Sequence, residues 1–223
     1  MAGGMAIRMT DETSELDYLI SGYHRFRQIG WEPEHDRWAA LREKQQPRIM
    51  VIACSDSRVD PAQIFDVNPG EIFVVRNVAA LVPPFETTPG HHGVSAALEF
   101  AVQVLKVAEI VVMGHGMCGG CKAALTDELR HEPPGSGGFI ADWIDMLGDA
   151  RTPIVEELGS SGREAERAME LAAVRVSLDN LRTFPCVSSK ESKGKLVLRG
   201  AYFSIADGIL HLLDDKTGDF LPV

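Results

Sequence analysis

Cationic residues are in short supply in this chain. Lys and Arg number 22 against 32 Asp and Glu, a formal net charge of −10 over 223 residues. That balance argues against a surface for nucleic acid or anionic lipid, whose phosphates attract clustered positive charge. No apolar run is long enough to cross a bilayer. Residues 1–15 lack both the apolar core of a secretory signal and the arginine-rich character of a transit peptide. The expectation is a soluble, cytoplasmic protein. Internal repeats and low-complexity tracts are missing. Cysteine is sparse, with four residues in the whole chain. Four do not make a disulfide scaffold at this length, so in a reducing compartment they read as metal ligands, catalytic groups or small core residues.

What is present is ample apolar material, 45% of the residues, and two motifs placed after β-like runs. Residues 49–53 precede Cys54, Ser55, Asp56, Ser57 and Arg58, and residues 110–113 precede Gly114, His115, Gly116, Met117, Cys118, Gly119, Gly120 and Cys121. Short β-rich apolar runs of this kind suit a parallel sheet covered on both faces. In such sheets ligands gather beyond the carboxyl ends of the strands. Cys54 and His115 would then share one rim, and Cys118 follows at an expected helix start.

The remaining chain supports an α/β reading. Residues 1–13 read as a frayed end. Ser14 is a plausible helix N-cap, and Leu16, Leu19, Ile20, Tyr23 and Phe26 fall on one face of the helix after it. Pro33 interrupts the pattern and a second helix is expected near residues 35–45. Pro61 opens a short helix, Asn68, Pro69 and Gly70 form a turn, and residues 71–76 make a strand. A helix over residues 93–106 should bury Ala97, Phe100, Ala101 and Val104. Further helices are expected over residues 119–129, 139–147, 154–158 and 164–181. Two β-runs, 195–205 and 209–213, are joined by a turn at Asp207 and Gly208. Strand–helix alternation predicts a mostly parallel central sheet with helices on both faces and an antiparallel edge strand. The domain reading is one α/β domain over residues 1–223, with residues 1–46 as an N-terminal helical arm.

Zinc favours thiolate and imidazole ligands in tetrahedral geometry, closed by four protein ligands in structural sites and left with one open position in catalytic ones. Cys54, His115 and Cys118 offer three, and the fourth position is open to water, Cys121 or Asp56. A helix start at Cys118 favours its thiolate. Other readings of the same residues are buried core cysteines, or a redox pair at Cys118 and Cys121. A zinc ribbon would need a second Cys-x-x-Cys, and there is none. Asp56 and Arg58 lie two apart, on one side of an extended segment. The guanidinium would keep the carboxylate ionised and oriented. That pair is either an ordinary surface ion pair or, beside a metal-bound water, the group that orients it.

Together, the stretch from Cys54 to Arg58, the stretch Pro69, Gly70, Glu71, then Phe73, Val74, Arg76, Asn77, Val78 and Ala79, and the stretch Gly114, His115, Cys118, Gly119 and Gly120 resemble the β-class carbonic anhydrases, in particular a plant-type, open-site branch. The resemblance implies zinc-dependent, reversible hydration of carbon dioxide to bicarbonate and a proton. It implies one Zn²⁺ per chain on Cys54, His115 and Cys118, with Asp56 and Arg58 as catalytic dyad. Gln45, Phe73, Val78 and Phe100 match positions lining the substrate cleft, Phe100 replacing a tyrosine. Cys121 departs from an aliphatic position. Residue 104 is Val where some members carry a histidine, so the proton carrier is left open, with His91 and His92 as candidates. Homodimers or higher even-numbered assemblies, with the arm wrapped on a neighbour, are implied as well. In one branch of the family an aspartate closes onto zinc, together with a bicarbonate pocket of Trp, Arg and Tyr. Here those positions are Val51, Arg76 and Phe203, which predicts an open site. The motifs overlap with hydrolases of carbon disulfide or carbonyl sulfide, and a non-catalytic zinc or redox protein is the rival of another class. The intact dyad favours an enzyme.

Overall fold

The computed structural model describes residues 14–223, so the expectation for residues 1–13 lies outside the described part. The chain divides into two compact units, Met1–Gln45 and Gln46–Val223.

In the first unit, α1 (Glu15–Phe26) starts on a reciprocal cap. The Asp17 N–H donates to Ser14 Oγ at 3.2 Å, and the Ser14 N–H donates to Asp17 Oδ2 at 2.9 Å, which satisfies two amides that the first turn leaves unpaired. The helix runs into a wider π turn over Arg27–Trp31, and α2 (His35–Glu43) follows. Phe26 meets Trp38 edge to face at 5.8 Å. The stripe Leu16, Leu19, Ile20, Tyr23 and Phe26 is exposed along its whole length.

The second unit carries β1 (Ile49–Cys54), α3 (Pro61–Ile64), β2 (Ile72–Asn77), α4 (Gly93–Glu99), β3 (Glu109–His115), α5 (Gly119–Thr126), α6 (Gly138–Ile144), α7 (Gly148–Leu158), α8 (Arg163–Thr183), α9 (Pro185–Glu191), β4 (Val197–Ser204), β5 (Ile209–Leu213) and β6 (Phe220–Pro222). The sheet order is β2-β1-β3-β4-β5-β6. The first four strands are parallel, and β5 and β6 are antiparallel additions. The expected α/β architecture with a mostly parallel sheet is thus present, and β6 extends the anticipated edge hairpin by a short strand.

Alternation along the strands sends side chains to two unequal cores. Met50, Ile52, Ile110, Val112 and Leu198 pack with Leu98, Ala101 and Val102 of the α4 region and with Val174, Leu178 and Leu181 of α8. On the other face Val51, Ala53, Met113 and Ala201 meet Ile64 of α3 and the adjoining Phe65. The stripe expected for residues 93–106 needs correction. Ala101 is buried as expected, but Phe100 and Val104 are 41% and 60% exposed, and Leu98 and Val102 are buried in their place. This helix is apolar on two sides. The sheet takes the side bearing Leu98, and a π turn over Phe100–Leu105 carries the other outward. The helix α9 had no anticipated counterpart; it begins on Pro185 at its first turn, where a missing N–H is harmless.

Chain order places the site. β1 leads to β2 on one side, whereas β3 leads through α5 to α9 to β4 on the other. The gap beyond the carboxyl ends of β1 and β3 is therefore a topological switch point, where an open α/β sheet has room for a ligand.

Candidate active site

Cys54 and His115 are the last residues of β1 and β3. Cys118 caps α5 in extended conformation. Between them Met117 adopts φ +59°, a left-handed geometry costly for a side-chain-bearing residue, which turns Cys118 back toward the strand ends. One ligand atom from each of Cys54, His115 and Cys118 lies within 4.8 Å of the other two. Cys121 and Asp56 are outside that set. All three members are buried.

His115 settles what this cluster can hold. Its Nδ1 lies 2.9 Å from the Gly116 carbonyl oxygen, which accepts the proton and leaves Nε2 as the bare acceptor. Nε2 is buried without a hydrogen-bond partner, an expense unless something electrophilic sits opposite. Two thiols beside it complete a donor set suited to a soft divalent metal. Without one, the thiols hold their protons: contact with Cys118 and burial push Cys54 up to about 12. Contact with Cys121 pushes Cys118 up to about 12 as well. Burial works against a charged His115, but the neighbouring Cys54 sulfur and the Gly116 carbonyl outweigh it and raise its pKa.

In front of the cluster stands the predicted pair. Arg58 grips Asp56 with two parallel bonds, Nε to Oδ1 at 2.9 Å and Nη2 to Oδ2 at 2.7 Å, and its amide adds a third at 3.0 Å. These bonds hold the Asp56 carboxyl well below the usual range. Asp56 Oδ2 lies 4.0 Å from His115 Nε2. Arg58 also donates to the Met117 carbonyl at 3.0 Å, tying the first motif to the turn that carries Cys118.

Arg76 braces the same loop from below. It donates to the carbonyls of Cys54 at 2.9 Å and Asp56 at 2.6 Å, and to Asp60 Oδ2 at 3.0 Å. Its acidic partner is thus Asp60, which also caps α3, whereas Glu71 accepts from the Asn68 amide. Val51 is buried in the sheet core and Phe203 is paired in register with His115.

Behind the cluster are residues that sequence reasoning missed. Glu170 of α8 is 2% exposed. It accepts from the Cys118 amide at 3.2 Å and from the Tyr202 hydroxyl at 2.8 Å. Burial raises its pKa, against the pull of the hydrogen bonds from Tyr202 and the backbone amides of Cys118 and Met117. Arg167 stacks over the Tyr202 ring at 5.0 Å. A signal existed: Glu170 sits on the same helix face as Val174 and Leu178, an acidic residue in a stripe that packs on the sheet. The approach is close enough that a Cβ on Gly116 would stand 3.0 Å from the Tyr202 hydroxyl, which is why that position is glycine.

Of the cleft residues, Phe73 and Phe100 lie together, ring centroids 5.9 Å apart. Val78 is half-exposed and abuts Gly120, where a Cβ would meet Val78 Cγ1 at 2.7 Å. Gln45 is exposed and ends the first unit. His92 is engaged with the Thr88 carbonyl and Glu86.

A rim of two thiols and one imidazole beyond a parallel sheet, faced by an Asp–Arg pair, defines a class of metal-dependent enzyme. The carbonic anhydrase family profile matches residues 49–210, and the chain belongs to that family, lyases that hydrate carbon dioxide. Within it the similarity is to the β class. The chain is 37% identical to beta carbonic anhydrase 3 of Arabidopsis thaliana, over 94% of this chain and 85% of that protein. Among solved structures, the β-carbonic anhydrase CcaA superposes with a TM-score of 0.87 at 30% identity, covering 94% of this chain and all of that one. One of two tetrameric β-carbonic anhydrases from Sordaria macrospora gives 0.77 at 28%, covering 89% of this chain and 96% of that one.

Proposed function

We propose that this chain hydrates carbon dioxide reversibly with one zinc ion held by Cys54, His115 and Cys118, and that Asp56 and Arg58 are its catalytic dyad. The observation that carries the reading is the buried, unpartnered His115 Nε2 pointing into a pair of thiols, 4.0 Å from an ionised carboxylate. Zinc bound there would supply a Lewis acid that lets water react as a nucleophile near neutral pH. The protein does the rest. Asp56, held ionised by Arg58, can only accept hydrogen bonds, so it orients the reacting water through one of its protons. Arg58 keeps that carboxylate from turning toward the metal. Arg76 is already engaged with two carbonyls and Asp60, so it has little left to offer bicarbonate. Both points favour an open site with water as the fourth ligand.

The cleft we assign to Gln45, Phe73, Val78 and Phe100, whose apolar members suit carbon dioxide. The exposed stripe on α1 favours a homodimer or a higher even-numbered assembly, and the Sordaria macrospora relatives are tetramers. The domain reading is one zinc-dependent α/β domain whose residues 1–46 form an assembly arm. All four cysteines are free, which suits a reducing compartment and supports a cytoplasmic setting. No helix among the described residues is long and apolar enough to cross a membrane.

Stopped-flow hydration of carbon dioxide by zinc-loaded protein tests the reading, with carbon disulfide and carbonyl sulfide as competing substrates. We expect turnover of carbon dioxide that rises from about pH 7 into the alkaline range, because two thiolates cancel the metal's formal charge and leave its water less acidic. Turnover of carbon disulfide alone, or a rate flat with pH, would contradict it.

A further inference from the structure

Cys121 is a buried thiol beside the metal-ligand set that the proposed reaction does not use. It is 3% exposed, as is Cys118, and both belong to one buried cluster. They stand at the start of α5, Cys118 as N-cap and Cys121 three residues on within the first turn. Residues three apart at a helix start are neighbours in space, and the Cys118 side chain makes no capping hydrogen bond that would hold its sulfur elsewhere. The pair is thus pre-positioned by helix geometry, and the ring to be closed is only four residues long, so little chain entropy opposes closure. Cys54 also contacts Cys118, but it arrives from a different strand, fixed by two parallel neighbours. Bringing it closer would require strand movement.

We propose that Cys118 and Cys121 are a peroxide-sensitive dithiol whose closure to a disulfide withdraws Cys118 from the metal-ligand set. This rests on Cys118 being a zinc ligand. The oxidant is hydrogen peroxide, a small neutral molecule. Peroxide transfers one oxygen to the Cys118 sulfur, its O–O bond breaks, and a sulfenic acid and water result. The Cys121 sulfur then attacks the Cys118 sulfur. The S–S bond forms as the S–O bond breaks, and the departing hydroxide takes the Cys121 proton to give a second water. In sum the Cys118 thiolate, the Cys121 thiol, one peroxide and one solvent proton become one disulfide and two waters, with sulfur oxidised and peroxide reduced. Left with Cys54 and His115 alone, the site would release its ion, and a thiol reductant would restore it.

The chain makes this simple to read. Trypsin releases residues 107–122 as one peptide holding Cys118 and Cys121 and no other cysteine. Full-length, zinc-loaded protein is titrated with hydrogen peroxide while zinc release is followed with a chromogenic chelator, and the peptide is weighed after alkylation. We expect a peptide lighter by two hydrogens and unalkylated, appearing in step with released zinc. Dithiothreitol plus zinc should recover most of the bound metal. In Cys121→Ala, metal is retained at rest, and peroxide drives Cys118 to higher oxides that dithiothreitol does not reverse. A disulfide linking Cys54 to Cys118, zinc release with both thiols of the peptide still alkylated, or a Cys121→Ala protein that recovers like the wild type would each overturn the proposal. Protein that never takes up zinc would instead count against the metal site, and the peptide mass would still report on the dithiol.

Discussion

The two sides of the metal cluster are built on different principles. The front, Asp56 and Arg58, is open to water: their side chains are 18% and 46% exposed. The pair itself is joined by contacts between residues two apart, with one bond to the Met117 carbonyl and the Arg76 guanidinium bracing the loop beneath. The back is dry. There Glu170 and Tyr202 come from α8 and β4, 52 and 84 residues beyond Cys118, and hold the amide of a candidate ligand from inside the core. Reactivity is placed where solvent and substrate arrive, and rigidity where water is excluded and each hydrogen bond counts for more. Substitutions in front should therefore change rate with metal retained, and substitutions behind should change metal affinity and stability.

The sharpest break in that comparison is at the ligands, which belong to both sides. Cys54→Ala and Cys118→Ala should each take zinc from one per chain to almost none by elemental analysis, and Cys121→Ala should keep it. Retention in Cys54→Ala would show the ligand set to be wrong.

Next comes the back. Glu170→Ala leaves the buried Cys118 amide and the Tyr202 hydroxyl without their acceptor, at roughly 1–3 kcal/mol for each group. Chelator competition should show zinc affinity falling about 10–100-fold, the usual range for residues that orient a ligand. Tyr202→Phe should do less, costing about 1.5–3 kcal/mol of stability in denaturant melts, since a buried carboxylate loses one donor. If Glu170→Ala bound zinc as tightly as the wild type, the division of labour would fail.

A smaller effect follows from the thiol proton load. In the metal-free chain Cys54 and Cys118 titrate at about 12, so both are protonated at neutral pH. Binding zinc as thiolates must expel both protons. Apparent affinity should therefore rise with pH by up to about two log units per unit and weaken in acid. The raised pKa of His115 adds a third proton at weakly acid pH. Calorimetry in buffers of different ionisation enthalpy should count close to two protons released per zinc near pH 7.5. A count near zero would mean the thiols are not both ligands.

The same contrast explains how much could be read from the sequence. The front was legible because its chemistry is local: Cys54, Asp56 and Arg58 fall in five residues after a β-run, and His115 and Cys118 in four. The parallel sheet followed from apolar strands alternating with helical periods. The back was not legible because register, not spacing, creates it. Tyr202 reaches Glu170 only once β4 is paired beside β3, with Gly114 opposite Tyr202. The exposure of Phe100 and Val104 was misjudged for a related reason. A helix apolar on two sides does not say which side the sheet will take, and the π turn after Glu99 shifts the count. Arg76 was legible as a position of the family's bicarbonate pocket, yet its partners are the loop carbonyls and Asp60, which local spacing does not reveal.

The central claim, that the front performs the chemistry on a metal the back secures, is tested most directly by Asp56→Asn. The amide keeps the shape of the carboxylate and removes its charge. Zinc content and carbon dioxide hydration should be measured on the same preparation. The account predicts one zinc per chain, as in the wild type, with the hydration rate lowered about 100-fold or more. Full zinc with wild-type turnover would contradict it.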